Sequence, residues 1–271
     1  MKTILFSGIL LLTTGLYAQN KGNLSIYWGW NHSNYSRSNI SFQGIDYDFT
    51  LQKVRSHDRQ SAFRADTYFN PTQMTIPQYN FRVGYFLTDN WQLSIGMDHM
   101  KYVVSQYQSV AIEGKINDPA SICQGDFNGE EIVLRPEFLL LEHTDGLNYG
   151  NIECRYFHPL INKEKLEVHA LGGGGVGMLV PRTNATLFNQ ERYDEFHLAG
   201  YGLGVVTGLE FRFFKHFFIQ SEAKGGFIHM PDIRTTASKS DRAAQHFFFF
   251  QYNAVFGFSF HLKSKEEKEV N

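Results

Sequence analysis

Residues 247–262, Phe-Phe-Phe-Phe-Gln-Tyr-Asn-Ala-Val-Phe-Gly-Phe-Ser-Phe-His-Leu, decide the fold of this 271-residue chain. Successive side chains of a β-strand point to opposite faces of a sheet, so an amphipathic strand shows a period of two. From Phe248 to Leu262 every even position is apolar. The odd positions hold Gln, Asn, Gly, Ser and His, with exceptions at Phe247, Phe249 and Val255. The pattern predicts a long strand with one apolar face and one polar face.

The same period predicts further strands upstream, at about 24–30, 79–87, 91–97, 152–156, 166–170, 201–213 and 217–224. The composition agrees, because 25 Phe, 14 Tyr and 24 Gly favour strands over helices. Charged residues make up 19% of the chain, below the roughly 25% of ordinary globular domains. With 25 basic and 27 acidic residues the net charge is −2, which gives no reason to expect a nucleic-acid partner.

Short and long connections alternate along this order of strands. Three connections are short hairpin turns: 88–90, 162–164 and 214–216. Four connections are long and polar: about 32–77, 104–146, 181–196 and 231–245. This alternation places the short turns at one end of an up-and-down sheet and the long loops at the other end. The first and last strands are then antiparallel and able to pair, which predicts a closed barrel of eight antiparallel strands.

Alternation alone does not separate a soluble barrel with an apolar interior from a membrane barrel with an apolar exterior. Aromatic residues gather at strand ends near the short turns or the C-terminus: Tyr85, Phe86, Trp91, Tyr156, Phe157, Phe213, Phe214, Phe217, Phe218, Phe258 and Phe260. Membrane barrels carry such girdles, together with short periplasmic turns and longer extracellular loops. We therefore predict an all-β fold, an eight-stranded antiparallel up-and-down transmembrane β-barrel.

The polar strand faces hold charges of both signs: Arg82, Asp98, Glu153, Arg155, Glu167, Glu210, Arg212, Glu222 and Lys224. These charges would be a sparse coat for a soluble barrel, but they suit a narrow interior that is closed by ion pairs. The interior of an eight-stranded barrel has room for side chains and not for a water channel. We therefore predict that these residues form a polar network in the lumen.

The N-terminus has the layout of an export signal. A short positive start and an apolar run from Ile4 to Leu12 precede a small residue at Ala18. The run is shorter than the ~20 residues that span a bilayer as a helix. We therefore divide the chain into three parts, a signal peptide at 1–18, a barrel domain at 19–262 and a charged periplasmic tail at 263–271.

The stretch Gly257-Phe258-Ser259-Phe260-His261-Leu262 resembles the alternating aromatic signal that small outer-membrane β-barrel proteins of Gram-negative bacteria present for barrel assembly. The resemblance is one of architecture and covers residues 22–262. The tail from Lys263 departs from it, since that family often ends on the aromatic strand. The Ala18–Gln19 junction resembles exported proteins of the Bacteroidetes. The resemblance implies a monomer in the bacterial outer membrane, with lipid, lipopolysaccharide and the barrel-assembly machinery as partners.

The long loops carry candidate binding residues, because a rigid barrel positions its loops. In the first loop these candidates are Asp46, Asp48, His57, Asp58 and Arg59. Asp46 and Asp48 could offer carboxylates to a hard cation such as calcium, yet calcium gathers about six to eight oxygens. A loop this long without secondary structure is uncommon, so we expect strand extensions and a folded cap. We predict internal ion pairs there, and neither a metal site nor a cofactor.

An enzymatic alternative rests on Asp98 and His99, with Ser94 nearby. Membrane barrels that cleave or transfer lipid A acyl chains use a nucleophile, a histidine and a carboxylate, and such sets are recognised by geometry. Adjacent residues on a strand face opposite ways, so Asp98 cannot readily orient His99.

Two further features have simpler interpretations. The glycine run from Leu171 to Gly177 lacks the Gly-Lys-Ser/Thr that follows in a phosphate-binding loop. Such glycines instead let a strand bend or let lumen side chains of neighbouring strands pass. Cys123 and Cys154 could form a disulfide in an exported protein, but we expect two free cysteines.

These patterns favour a non-enzymatic surface, binding or envelope-structural role, with an external ligand that the sequence does not identify. A lipid A-modifying acyl hydrolase or transferase is the first alternative. A passive transporter of small apolar molecules through a lateral gap is the second, and breaks in strand pairing would indicate it.

Overall fold

A computed structural model describes residues 20–70, 72–73 and 75–262. The predicted signal peptide at 1–18 and the predicted tail at 263–271 lie outside these residues. The described strands are β1 (Asn23–Tyr35), β2 (Ser38–Gln43), β3 (Tyr47–Val54), β4 (Ser56–His57), β5 (Tyr79–Phe86), β6 (Trp91–His99), β7 (Tyr102–Val104), β8 (Ser109–Ile116), β9 (Gly125–Val133), β10 (Leu139–His143), β11 (Tyr149–Lys163), β12 (Leu166–Leu179), β13 (Asn184–Leu187), β14 (Gly200–Phe213), β15 (Phe217–Arg234) and β16 (Arg242–His261). One helical turn, α1 (Ala65–Tyr68), lies between β4 and β5. No helix in this part of the chain is long and apolar enough to cross a membrane.

Eight of these strands pair in a closed cycle, which we call the ring. The order around it is β1, β5, β6, β11, β12, β14, β15 and β16, and every pairing is antiparallel. The pairing of β1 with β16, from Asn23↔His261 to Tyr35↔Phe249, closes the cycle. Each strand predicted from the alternation of apolar and polar residues falls on one strand of the ring.

The sheet that contains these eight strands is nevertheless larger than the eight-stranded barrel predicted from the sequence. Strands β2, β3, β8 and β9 continue from β16, so the sheet that contains the ring has twelve strands. A second sheet of four strands has the order β13, β10, β7 and β4. These additional strands lie in the stretches predicted as long loops, although β2 and β3 alternate between buried apolar and exposed polar residues as the ring strands do. We call β2–β4, β7–β10, β13, their connections and the adjoining ends of β15 and β16 the cap.

The three short connections leave the opposite end of the ring from the cap. They join β5 to β6 through Leu87–Asn90, β11 to β12 through Glu164–Lys165, and β14 to β15 through Phe214–His216. The long connections build the cap, as expected of folded extensions. The predicted loop at 231–245 is largely strand, because β15 runs to Arg234 and β16 begins at Arg242.

The outer face of the ring is apolar, and we call its exposed apolar side chains the belt. Its members include Ile26, Phe81, Tyr85, Trp91, Leu93, Ile95, Met97, Ile152, Tyr156, Val176, Met178, Tyr201, Leu203, Val205, Leu209, Phe211, Ile219, Phe248, Phe250, Tyr252, Phe258 and Phe260. The belt extends over all eight strands of the ring. This distribution is the inverse of that in a water-soluble barrel, where apolar side chains lie inside.

The cap buries its apolar side chains in the ordinary way. A single core cluster includes Ile40, Phe42, Phe49, Leu51 and Ile112, none more than 1% exposed. The same cluster contains Phe247 and Phe249 of β16, and Ile228 and Met230 of β15. The two strands thus carry apolar residues from the cap core down to the mouth of the ring.

Candidate functional site

The interior of the ring is the most highly charged buried region of the molecule. At its centre, Arg155 on β11 forms ion pairs with Glu153 on the same strand (Nη2 to Oε2, 2.7 Å) and with Glu222 on β15 (Nη1 to Oε1, 2.6 Å). Arg82 on β5 also contacts Glu153 (Nη2 to Oε1, 3.0 Å). The Tyr27 hydroxyl accepts hydrogen bonds from both guanidinium groups, each at 3.1 Å. Three strands are therefore joined by charged groups and a fourth, β1, by the Tyr27 hydroxyl, and all these side chains are almost completely buried.

A lysine spans the interior above this centre. Lys224 on β15 contacts Asp98 on β6, which lies four places away around the ring, and its Nζ is 2.6 Å from Glu153 Oε1. Asn80 and Asn151 donate hydrogen bonds to the two oxygens of Asp98, at 2.6 and 3.0 Å. The side chains of opposite walls thus meet, and they fill the cross-section.

A second charged cluster lies toward the end with the short turns. Arg212 on β14 contacts Glu210 (Nη2 to Oε1, 2.7 Å) and lies 3.7 Å from Glu167 on β12. Its Nη1 donates a 2.6 Å hydrogen bond to Asn20, which precedes β1. His169 lies 3.4 Å from Glu210. Asn20, which is 3% exposed, therefore lies against this cluster at the end with the short turns.

The structure places all nine charged residues of the predicted lumen network inside the ring, each 6% exposed or less. Sequence reasoning missed their neutral partners, among them Tyr27, Asn80 and Asn253, which donates to Glu222 at 2.8 Å. These residues lie on the polar face of their strands. Strand parity would have found them if neutral side chains had been counted with the charged ones.

Glycines make room for these long side chains. A Cβ on Gly175 of β12 would lie 2.5 Å from Glu153 Cγ, and one on Gly96 of β6 would lie 2.9 Å from the guanidinium carbon of Arg82. Side-chain atoms are not found this close together, so any larger residue would displace the network. The glycine run at 171–177 thus has a packing function of the kind expected from its sequence.

Not all the aromatic residues near the short turns lie on the outer face. Tyr85, Trp91, Tyr156, Phe214, Phe258 and Phe260 are exposed there. Phe86, Phe157 and Phe218 are at most 2% exposed and pack inside the ring. The prediction of an outer girdle is wrong for these three residues, because their position in the period of two directs them inward.

The weak catalytic candidates do not form a catalytic arrangement. Asp98 and Ser94 point into the lumen, where Ser94 Oγ accepts from Arg82 at 3.1 Å and donates to the Glu153 carbonyl at 3.2 Å. His99 stacks on Tyr79, and its Nδ1 lies 2.8 Å from Asn148 Oδ1. Asp98 and Ser94 are thus hydrogen-bonded inside the lumen, and His99 is hydrogen-bonded to Asn148. The three side chains do not converge as a nucleophile, a histidine and a carboxylate would in an acyl hydrolase.

Three of the five binding candidates in the first loop, His57, Asp58 and Arg59, form hydrogen bonds or ion pairs with other parts of the protein. Asp58 accepts hydrogen bonds from the backbone N of Ser33 and the Gln60 amide, both at 2.8 Å, and its side chain is 4% exposed. Arg59 forms an ion pair with Glu142 at 2.9 Å, and His57 Nδ1 lies 3.0 Å from Ser105 Oγ.

Asp46 and Asp48 are exposed at the far end of the cap. In the described part of the chain, no group of three or more His, Cys, Asp or Glu residues could hold a metal ion. Cys123 and Cys154 are both free. Cys154 points outward from β11 on the outer face of the ring.

No protein-family model matches this chain, and no curated protein matches it either. Solved structures that are similar to it include the following three. The outer membrane protein OprG from Pseudomonas aeruginosa is 10% identical, with a TM-score of 0.46 over 92% of this chain and 100% of that chain. The Ail attachment invasion locus protein of Yersinia pestis is 12% identical, with a TM-score of 0.36 over 89% and 99%. Neisserial surface protein A is 9% identical, with a TM-score of 0.31 over 85% and 96%. These neighbours are Gram-negative outer-membrane β-barrel proteins, and the similarity is too low to bear on function.

Proposed function

We propose that this protein is an eight-stranded outer-membrane barrel that anchors a folded extracellular cap, and that its role is non-enzymatic. The observation that carries the proposal is the inverted ring, with an apolar belt outside and a charged network inside. Large exposed apolar surfaces mark contact with a partner or a membrane. Because the belt surrounds a closed cycle of strands, the surrounding medium that fits it is lipid. A closed ring also satisfies the backbone hydrogen bonds that lipid cannot satisfy.

The filled interior favours an anchor over a pore. Lys224 and Asp98 meet from opposite walls, the Arg212 cluster with Asn20 fills the end with the short turns, and the apolar core of the cap lies at the other end. The pairings between ring strands run without interruption across the belt, with irregularities at Pro159/Ile161 near a short turn and Met230/Ile233 in the cap. Nothing in this pairing supports a lateral gap for apolar molecules. The surface available to a partner is therefore that of the cap.

The proposal has a direct test in intact cells. Two exposed lysines mark opposite ends of the molecule, Lys239 in the cap and Lys165 in a short turn. In a background of Cys123→Ala and Cys154→Ala, a membrane-impermeant maleimide should label Lys239→Cys on whole cells. It should label Lys165→Cys only after the cells are opened.

The control establishes that each variant is folded in the outer membrane. We expect recovery in the outer-membrane fraction and a shift in gel mobility on heating. A soluble periplasmic product would contradict the membrane location, and labelling of Lys165→Cys on intact cells would contradict the orientation.

A further inference from the structure

The cap carries a basic groove just above the belt. Its volume is about 420 Å³, and its lining includes Arg37, Lys53, Arg55, Ser109 and Glu131. Among the described residues, none of the three cations has an ion-pair partner. The Oε2 of Glu131, the sole carboxylate in the lining, accepts a 2.7 Å hydrogen bond from Ser109 Oγ. The groove therefore has an excess of positive charge that the protein itself does not neutralise.

Local hydrogen bonds hold the backbone of each cation in place. Lys53 has a left-handed φ of 51° at a β-bulge, and its backbone N donates to Asn39 Oδ1 at 2.9 Å. Gln108, 3% exposed, accepts from the backbone N of Arg55 and donates to its carbonyl, both at 2.8 Å. A β-bulge changes the direction of a side chain, and a left-handed φ costs free energy at a residue other than glycine. The fold therefore maintains an unfavourable backbone conformation that places Lys53 in the lining of the groove.

The position of Arg37, the third cation, shows how close the groove lies to the belt. Ser36, directly before Arg37, donates its backbone N to the Phe248 carbonyl at 2.8 Å, and its Oγ accepts from Phe248 N at 3.0 Å. Phe248 is 64% exposed and is the last large apolar side chain of the belt on β16 before the cap. The groove therefore lies where the hydrocarbon of a surrounding membrane would give way to headgroups.

From this position and charge we infer that the groove binds the phosphate groups of the lipid headgroups in the outer leaflet, such as those of lipopolysaccharide. Arginine offers planar, paired donors to phosphate, and lysine adds a point charge. Small residues such as Ser109 and Ala111 in the lining leave room for a sugar phosphate. The inference rests on the proposed membrane location and extends it from general contact with lipid to one binding site.

The far end of the cap supplies a matched control. Lys239 and Arg242 line a second groove of about 360 Å³ beside Gln43 and Gly44. Five steps along β2 separate Gln43 from Ser38, about 16 Å at the rise of a strand. Removing one Lys and one Arg there changes the net charge as much as removing Lys53 and Arg55, but away from the belt.

The experiment measures lipid binding to the full chain in a zwitterionic detergent, by titration calorimetry and native mass spectrometry. The lipids are lipid A and lipid A freed of its phosphates, and inorganic phosphate is the soluble comparison. We expect Lys53→Gln with Arg55→Gln to weaken lipid A binding about tenfold or more, and Arg37→Gln to weaken it further. Lys239→Gln with Arg242→Gln should change it less than about twofold.

Three results would overturn the inference. Equal losses in the two double variants would show unspecific attraction, and equal binding of both lipids by the unaltered chain would exclude phosphate recognition. Inorganic phosphate bound as tightly as lipid A would assign the groove to a soluble anion. Each preparation is first checked for heat-modifiable migration, so a chain that fails to form a barrel counts against the proposed function and not against the groove.

Discussion

The ring and the cap share strands but bury opposite kinds of side chain. Along the inward face of β16, Phe247 and Phe249 belong to the apolar core of the cap, and Gln251 and Asn253, two and four residues further on, line the polar lumen. The parity of the strand does not change between them. Polarity changes on the outer face as well, since Arg242 is exposed on the cap and Phe258 on the belt.

The difference shows that the medium outside, and not the strand geometry, sets what a sheet buries. Removing apolar surface from water stabilises a protein by about 25 cal/mol per Å², so the cap buries its phenylalanines. Against lipid that gain disappears and an exposed polar group becomes costly. The ring therefore turns its charges inward, where each must have a partner. The same kind of substitution should therefore change the free energy of unfolding by different amounts in the ring and in the cap.

The largest expected effect comes from replacing a buried residue with methionine in each region. Arg155→Met should lower the free energy of unfolding by about 3–5 kcal/mol, because Glu222 loses its ion-pair partner and stays buried. Leu51→Met, a swap of similar volume in the cap core, should cost less than about 1.5 kcal/mol. Urea titration of the protein folded in lipid vesicles, read by gel mobility, measures both. Comparable losses would mean that the lumen network does not depend on paired charges.

The next effect concerns the outer faces. Val205, 68% exposed on β14, pairs midway along the ring, so Val205→Arg should destabilise the inserted protein by about 2–4 kcal/mol. Glu130→Arg, on the exposed face of β9 in the cap, should change stability by less than about 0.5 kcal/mol. The same vesicle titration applies. A neutral Val205→Arg would contradict the assignment of the belt to lipid.

The smallest effect depends on pH and is confined to the cap. Burial lowers the pKa of His143, which is 0% exposed, to about 3. The unfolded chain takes up this proton near pH 6.5 and the folded cap does not, so stability is complete above 6.5 and falls as the pH drops toward 3. The loss is about 1.4 kcal/mol per pH unit, or about 2 kcal/mol at pH 5.

Hydrogen exchange of cap amides at pH 7 and pH 5, corrected for intrinsic rates, measures this loss, with ring amides as the internal reference. His143→Asn is the control, because it keeps a polar group beside Thr183, 3.0 Å from His143 Nδ1, without a titrating proton. An unchanged pH dependence in this variant would rule out His143 as its source.

Much of the ring could be predicted from local sequence. A period of two located each of its strands, and the short turns fixed their order. The exceptions at Phe247, Phe249 and Val255 now have a reason, since the first two face the cap core and the third packs with Tyr27 and Phe218 inside the ring. The same period also places Phe86 and Phe157 inside, on the faces that carry Arg82 and Arg155. They were wrongly assigned to the outer girdle because they were grouped by nearness to the short turns and not by parity.

The cap was predicted only as a folded extension. Strand β7, with Tyr102, Val103 and Val104 all buried, carries no alternation. Strands β2 and β3 do alternate, but they lie inside stretches that were assigned as polar loops. The candidates Asp58 and Arg59 were found by residue type. Their structural role within the cap depends on partners that are distant in sequence, such as Glu142, which forms an ion pair with Arg59. The groove at Lys53 and Arg55 was missed for the same reason.

The order of residues was enough to predict which side chains of each ring strand share a face, because that depends only on the alternation of neighbouring residues. It also determined that one face is apolar and the other charged. Which charges meet required the folded chain, since Lys224 and Asp98 are 126 residues apart and come together across a closed ring. Strand parity alone did not say which face looks outward; the sparse charges and strand-end aromatics predicted that the apolar face does, and it does so in the closed ring because the charges there pair with one another inside.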